Sequence, residues 1–179
     1  IDRDVASYYP AVILNQRLYP EHLGEAFLTV YQTIVDRRLQ AKKAKNISVS
    51  ECLKICTNGT FGKTGSPYSV LYSPNITIQI TLTGQLALLM LIEQMELSGI
   101  QVISANTDGI LIYRHKDQEQ AYNQIISMWE QITGFATEEP KYKSYYARDV
   151  NAYLAVKEDN SFKGKNDYYD PWRGKTGKD

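Results

Sequence analysis

Polar and apolar positions along the chain predict a string of short strands and longer helices. Residues 1–6 alternate, which predicts a strand with Asp2 and Asp4 on one face and Arg3 on the other. Pro10 predicts a turn that keeps Tyr9 out of a helix, just past that strand. Residues 24–46 carry a helical stripe of Phe27, Tyr31, Ile34 and Val35, with Arg38, Lys42 and Lys45 on a basic face. Ser48 and Glu51 have the spacing of a capping box and predict the start of a second helix. Lys54, Asn58 and Phe61 share one of its faces, Cys52 and Cys56 point towards the core, and Gly59 and Gly62 thin the helix and then stop it. Residues 68–75 read as extended and turn-rich, and residues 76–97 as a long buried helix packed closely at Gly84.

The apolar runs 101–103 and 110–113 are too short for helices and predict a hairpin over residues 101–114. Its turn, Asn106-Thr107-Asp108-Gly109, is made of residues that tolerate the positive φ of a tight reversal. Such a turn holds a carboxylate at the tip of a buried hairpin, where a cation would offset its desolvation. Residues 117–133 predict an amphipathic helix with Ala121, Ile125, Trp129 and Ile132 inward. Strands follow at 141–146, 150–156 and 162–165, and then a basic, aromatic tail expected to be poorly ordered. The order predicts an α+β fold with helices on one face of an antiparallel sheet, on which Asp4 and Asp108 could meet.

Composition narrows the picture only slightly. The 179 residues suffice for one well-cored domain, and 20 basic residues balance 20 acidic ones, so any nucleic-acid contact must be local. No apolar run is read as a membrane span, and the first residues do not form a signal peptide. The two cysteines lie one helical turn apart without a nearby histidine, which speaks against zinc and for reduced thiols inside a cell. Fourteen tyrosines suit either a half-buried sheet or a surface that stacks on sugars and bases.

Three stretches resemble the motifs of family B DNA polymerases, in that family's order. Asp4-Val5-Ala6-Ser7-Tyr8-Tyr9-Pro10-Ala11-Val12-Ile13 is similar to motif A, Asp-x-x-Ser-x-Tyr-Pro-x-x-Ile. Lys54-Ile55-Cys56-Thr57-Asn58-Gly59-Thr60-Phe61-Gly62 resembles motif B, Lys-x-x-x-Asn-x-x-Phe/Tyr-Gly. Asn106-Thr107-Asp108-Gly109 resembles motif C, Asp-Thr-Asp-Ser, with an amide in place of the first carboxylate. The compact helical hairpin between A and B resembles that of bacteriophage members.

The resemblance implies a polymerase palm, an antiparallel sheet backed by helices, with a short two-helix fingers insertion. Residues 1–23 and 63–157 would form the palm, 24–62 the fingers, and 158–179 the palm edge or the start of a thumb. It implies template-directed DNA synthesis on a primer-template DNA from dNTPs, with two Mg2+ ions for which Mn2+ can substitute. Asp4 and Asp108 would be the catalytic metal ligands, joined by the Val5 carbonyl. Ser7, Tyr8, Tyr9, Arg38, Lys42, Lys54, Asn58, Phe61 and Gly62 would meet the nucleotide, Tyr9 excluding a 2′-hydroxyl, beside the motif C neighbours Asn106 and Thr107.

The family's Lys-Lys-Arg-Tyr primer contact corresponds to Val150-Asn151-Ala152-Tyr153, of which only Tyr153 matches. Lys141, Lys143, Arg148, Lys163 and Lys165 are the candidate DNA contacts in its stead. The resemblance further implies a monomer within a larger polymerase chain, no membrane, and a cytoplasmic site (a bacterial host's cytoplasm for a virus). The alternatives are a non-catalytic DNA-binding remnant, a reverse-transcriptase or RNA-polymerase palm, and a plain structural α+β domain. Tyr9 and the motif B lysine speak against the second of these.

Overall fold

A computed structural model describes residues 1–149 and 152–166. The strand start at Val150 and Asn151, and the tail from residue 167, lie outside the described residues. The elements are β1 (Asp2–Val5), α1 (Tyr8–Asn15), α2 (Ala26–Lys43), α3 (Ile47–Thr64), α4 (Pro74–Leu97), β2 (Gln101–Ala105), β3 (Gly109–Tyr113), α5 (Glu119–Thr133), β4 (Thr137–Glu138), β5 (Tyr142–Asp149), β6 (Ala152–Lys157) and β7 (Phe162–Lys165). The class is α+β, but the described strands form two antiparallel sheets rather than one: β2-β3-β1-β4 and β5-β6-β7.

The chain divides into two compact units. The first holds residues 1–5, 90–129 and the chain from 136 on, and therefore both sheets. On β3 all of Gly109 to Ile112 is buried, as expected of a central strand covered on both faces. Below the sheet, Tyr122, Ile125, Ile126 and Trp129 of α5 are buried, whereas Ile132 is exposed. Ile125 and Trp129 of the predicted stripe thus face inward, while Tyr122 and Ile126 complete it in place of Ala121 and Ile132. On β1, Arg3 points away from Asp2 and Asp4. It pairs with Glu139 at 3.0 Å, and both it and Arg114 lie over the Tyr122 ring, at 5.4 and 5.2 Å from its centre. This clamp on one face of β1 leaves the carboxylates to the other.

The second unit holds residues 6–89 and 130–135, with α1, α2, α3 and the first part of α4. Helix α1 includes both Tyr9 and Pro10, where a turn was expected. Pro10 is tolerated because a first-turn N–H has no intrahelical acceptor to lose. Helices α2 and α3 pack as a hairpin in which the Tyr31 hydroxyl donates to the Thr57 carbonyl at 2.8 Å. On α2, Leu28, Tyr31, Val35 and Ala41 are buried, while Phe27 and Ile34 only flank them. Lys45 is not on the basic helical face: α2 ends at Lys43 and Lys45 turns at φ 55°.

Three further expectations for α3 are corrected. Its cap is Asn46, whose side chain accepts from the Val49 N–H at 3.2 Å, and not Ser48. The helix continues through Gly59 and Gly62 to Thr64, because both glycines keep helical backbone and only Gly65 follows the end. Cys52 and Cys56 are exposed, since the face turned inward carries Thr57 and Thr64.

Helix α4 is not buried all round. Ile80, Gly84, Leu88, Leu91 and Met95 are buried, while Ile78, Leu82, Leu86 and Leu89 are exposed on the opposite side. By length and composition alone it is long and apolar enough to cross a membrane, although Thr, Gln and Glu punctuate the stretch. At Gly84 an added Cβ would press on the Tyr8 ring, whose hydroxyl donates to the Gly84 carbonyl.

Candidate active site

In the first unit the strands bring two carboxylates together. Asp4 on β1 sits opposite Gly109 on β3, so Asp108, the residue before Gly109, lies beside it at the hairpin tip. The Val5 N–H donates to the Asp108 carbonyl at 2.7 Å and locks this register. Gly109 is required here for space, not for its backbone: a Cβ would collide with the Asp4 carboxylate and the Arg3 carbonyl. No residue of the tip has positive φ, contrary to expectation. The reversal is made instead by Asn106, whose Oδ1 accepts from the N–H groups of Asp108 and Gly109 at 3.0 and 2.8 Å.

Charge at this tip is unbalanced. Burial, then the neighbouring carboxylates of Asp2 and Asp108, push Asp4 up to about 6, with Glu138 adding and Lys163 opposing. Among the described residues the Asp108 carboxylate makes no hydrogen bond or ion pair, and it is exposed. A small pocket beside the pair is lined by Asp2, Asn106 and Gly109 on one side and by Tyr145 and Tyr153 on the other.

The register of β5, β6 and β7 sets Tyr145, Tyr153, Lys163 and Lys165 on one face of the second sheet. Tyr145 and Tyr153 stack at 4.9 Å. Lys163 lies over the Tyr142 and Tyr153 rings, 5.8 and 5.9 Å from their centres, and donates to the Tyr142 hydroxyl at 3.2 Å. Burial alone would lower this ammonium's pKa, but the Tyr142 hydrogen bond and the neighbouring Tyr153 outweigh it and hold the pKa above that of an ordinary lysine.

The second unit gathers a different set of groups. Ser7, at φ 55° and ψ 53°, starts α1 in a left-handed conformation that a non-glycine residue rarely adopts. The Arg38 guanidinium donates to the Ser7 hydroxyl through Nη1, and its buried Nε has no partner among the described residues. The Tyr9 ring stacks on Phe61 at 4.0 Å with 10° between the planes. Tyr8 is buried, edge-on to Phe135 at 5.4 Å. Lys42, Lys54, Asn58 and Gly62 are exposed along α2 and α3.

No protein-family model matches the sequence, and no curated protein does. Among solved structures, the chain is similar to the family B DNA polymerase of the hyperthermophilic archaeon Pyrobaculum calidifontis. The TM-score is 0.67 at 15% identity, over 92% of this chain. The fold is similar to that of part of a family B DNA polymerase. The chain spans only 26% of that polymerase's length.

Set against that fold, the candidate residues fall into groups. Asp4, Val5, Asn106, Thr107 and Asp108 sit at the β1–β3 tip, with Tyr153, Lys163 and Lys165 on the neighbouring sheet. Lys141, Lys143 and Arg148 are engaged elsewhere, with Glu139 (3.4 Å), Asn160 (3.4 Å) and Asp149 (3.4 Å). Sequence reasoning missed Tyr142 and Tyr145 in this site. Their spacing in Tyr142-Lys143-Ser144-Tyr145 is off alternation because a bulge lies between them, and that hid their common face.

A divalent ion fits the donor set. Magnesium takes oxygen ligands, often one or two carboxylates completed by substrate phosphates. Among the described residues no three Asp, Glu, His or Cys side chains form a metal site by themselves. Two adjacent carboxylates, one of them pushed up by burial and then by its neighbours, are oxygen donors of the kind such an ion takes.

Proposed function

We propose that this chain carries out template-directed DNA synthesis, transferring a nucleotide from a dNTP to the 3′-hydroxyl of a primer. The observation that carries this reading is the pairing of Asp4 and Asp108 across β1 and β3, in a fold similar to part of a family B DNA polymerase. In this reading the unit with the two sheets acts as palm and the α2–α3 hairpin as fingers, in a bacteriophage-type polymerase longer than this chain.

Asp4 and Asp108, with the Val5 carbonyl, would hold Mg2+ or Mn2+, which supplies charge stabilisation for the attacking and leaving oxygens. The chain's own residues account for the remaining requirements. Gly109 lets the hairpin tip close onto Asp4 without a side chain between them. Arg38, Lys42 and Lys54 are suited to the triphosphate: the guanidinium is a fixed fork, and the two ammonium groups are point charges that tolerate rotating oxygens. The Phe61 stack holds the Tyr9 ring in one orientation, as a sugar gate requires. Ser7, Asn58 and Gly62 would add contacts to the nucleotide, whereas Tyr8, expected among them, is buried with its hydroxyl on the Gly84 carbonyl and could only support the others from behind; Tyr153, Lys163 and Lys165 would take the primer-template.

The test is to offer single dNTPs to a primed DNA template with Mg2+. The reading expects addition of the template-complementary nucleotide and none in chelator. Addition that ignores the template, or none of any nucleotide while the duplex stays bound, contradicts it; the second outcome favours a non-catalytic DNA binder.

A further inference from the structure

The hairpin tip carries one carboxylate where its motif has two, and the structure shows another carboxylate facing the same pocket. Asn106 spends its side-chain oxygen on two backbone N–H groups of its own turn. Asp2, one pleat before Asp4 on the same face of β1, lines the pocket beside it. Asp2 is itself engaged: its Oδ2 accepts from the Tyr142 hydroxyl at 3.0 Å, and that hydroxyl accepts from Lys163 at 3.2 Å.

We infer that Asp2 is a positioning residue which, through Tyr142, holds the Lys163 ammonium over this pocket as the docking point for a phosphodiester of the primer strand. The inference rests on the polymerase reading. A lysine side chain loses much rotamer freedom when fixed. Here the hydrogen bond and the two tyrosine rings fix it before any ligand arrives. Tyr142 stands between ammonium and carboxylate, so Lys163 does not collapse into a direct pair with Asp2 and keeps a donor for a ligand. Carboxylates alone at this tip would repel an incoming strand. A cation held beside them lets its last phosphate approach.

The relay makes a prediction opposite in sign to simple charge. Removing a carboxylate next to a polyanion should tighten binding. If Asp2 acts by holding Lys163, Asp2→Asn weakens it. The experiment is fluorescence anisotropy of a labelled primer-template with the chain in chelator, across a salt series. Lys163→Gln is expected to weaken binding about five- to tenfold and lower the slope of log K against log salt by about one, the loss of one phosphate contact. Asp2→Asn and Tyr142→Phe, which keeps both rings, are each expected to weaken it about two- to fivefold, and neither adds to Lys163→Gln in the double variants. Tighter or unchanged binding by Asp2→Asn, or additive effects, overturns the relay. A wild-type chain that binds no duplex refutes the polymerase reading instead.

Discussion

Asp4 is the residue on which the chemistry and the stability pull in opposite directions. Its carboxyl is pushed from 3.8 to about 6 by burial and by Asp2 and Asp108. The folded state therefore holds this proton more tightly than the unfolded chain, and Asp4's contribution is fully present below about pH 4 and lost as pH rises through about 6. Chemical denaturation of metal-free protein at pH 4.5 and pH 8 checks this. Asp4→Asn should flatten the dependence and be the more stable form at pH 8, while Mg2+ with dNTP should restore stability to the wild type alone. Gly109 gives a second prediction. Gly109→Ala places a methyl against the Asp4 carboxylate and the Arg3 carbonyl. It should lower primer extension by about a hundredfold or more and reduce thermal stability, because backbone on one side cannot yield. Extension within twofold of wild type would show that the tip need not close on Asp4.

At the scale of elements, α3 shows what patterning reveals and what it hides. The spacing of Lys54, Asn58 and Phe61 was legible because helical periodicity depends only on the chain. Which side of α3 faces inward was not, since Thr57 and Thr64 are buried and the more apolar Cys52 and Cys56 are exposed. The inward side is chosen by tertiary partners such as the Tyr31 hydroxyl on the Thr57 carbonyl, which no periodicity records. Tyr31→Phe should destabilise the α2–α3 hairpin by about 1–2 kcal/mol, read by urea unfolding. The Tyr9–Phe61 stack gives a functional counterpart. Tyr9→Ala should raise ribonucleotide incorporation, and Phe61→Ala should raise it too, though less; unchanged sugar discrimination in both would remove the pair from the gate. For α4, Leu91→Ala on the buried stripe should cost about 2–5 kcal/mol. Leu86→Gln on the opposite stripe should cost no more than about 0.5 kcal/mol, and an equal loss would mean that this face is covered too.

For the whole molecule, the balance of 20 basic and 20 acidic residues gives no field that would draw in DNA from afar, so any attraction of DNA would have to come from local groups. The class, the order of most elements and the Asp4–Asp108 pairing were all foreshadowed in the sequence, because alternation and turn residues place strands well. The split into two sheets was not, since β4 is only two residues long and pairs with β1 across a long stretch of sequence. That Asn106 spends its side-chain oxygen on two N–H groups of its own turn, and that Asp2 faces the pocket beside it, was not legible because both depend on tertiary packing. In the proposed function, the Asp4–Asp108 pair is what would make this fold a DNA-synthesising one. The most direct test is Mg2+-dependent extension of a primed DNA template by the wild-type chain and by Asp108→Asn, side by side. Extension by the first, and at least about a thousandfold less by the second, is the expected result. Equal extension by both would contradict it.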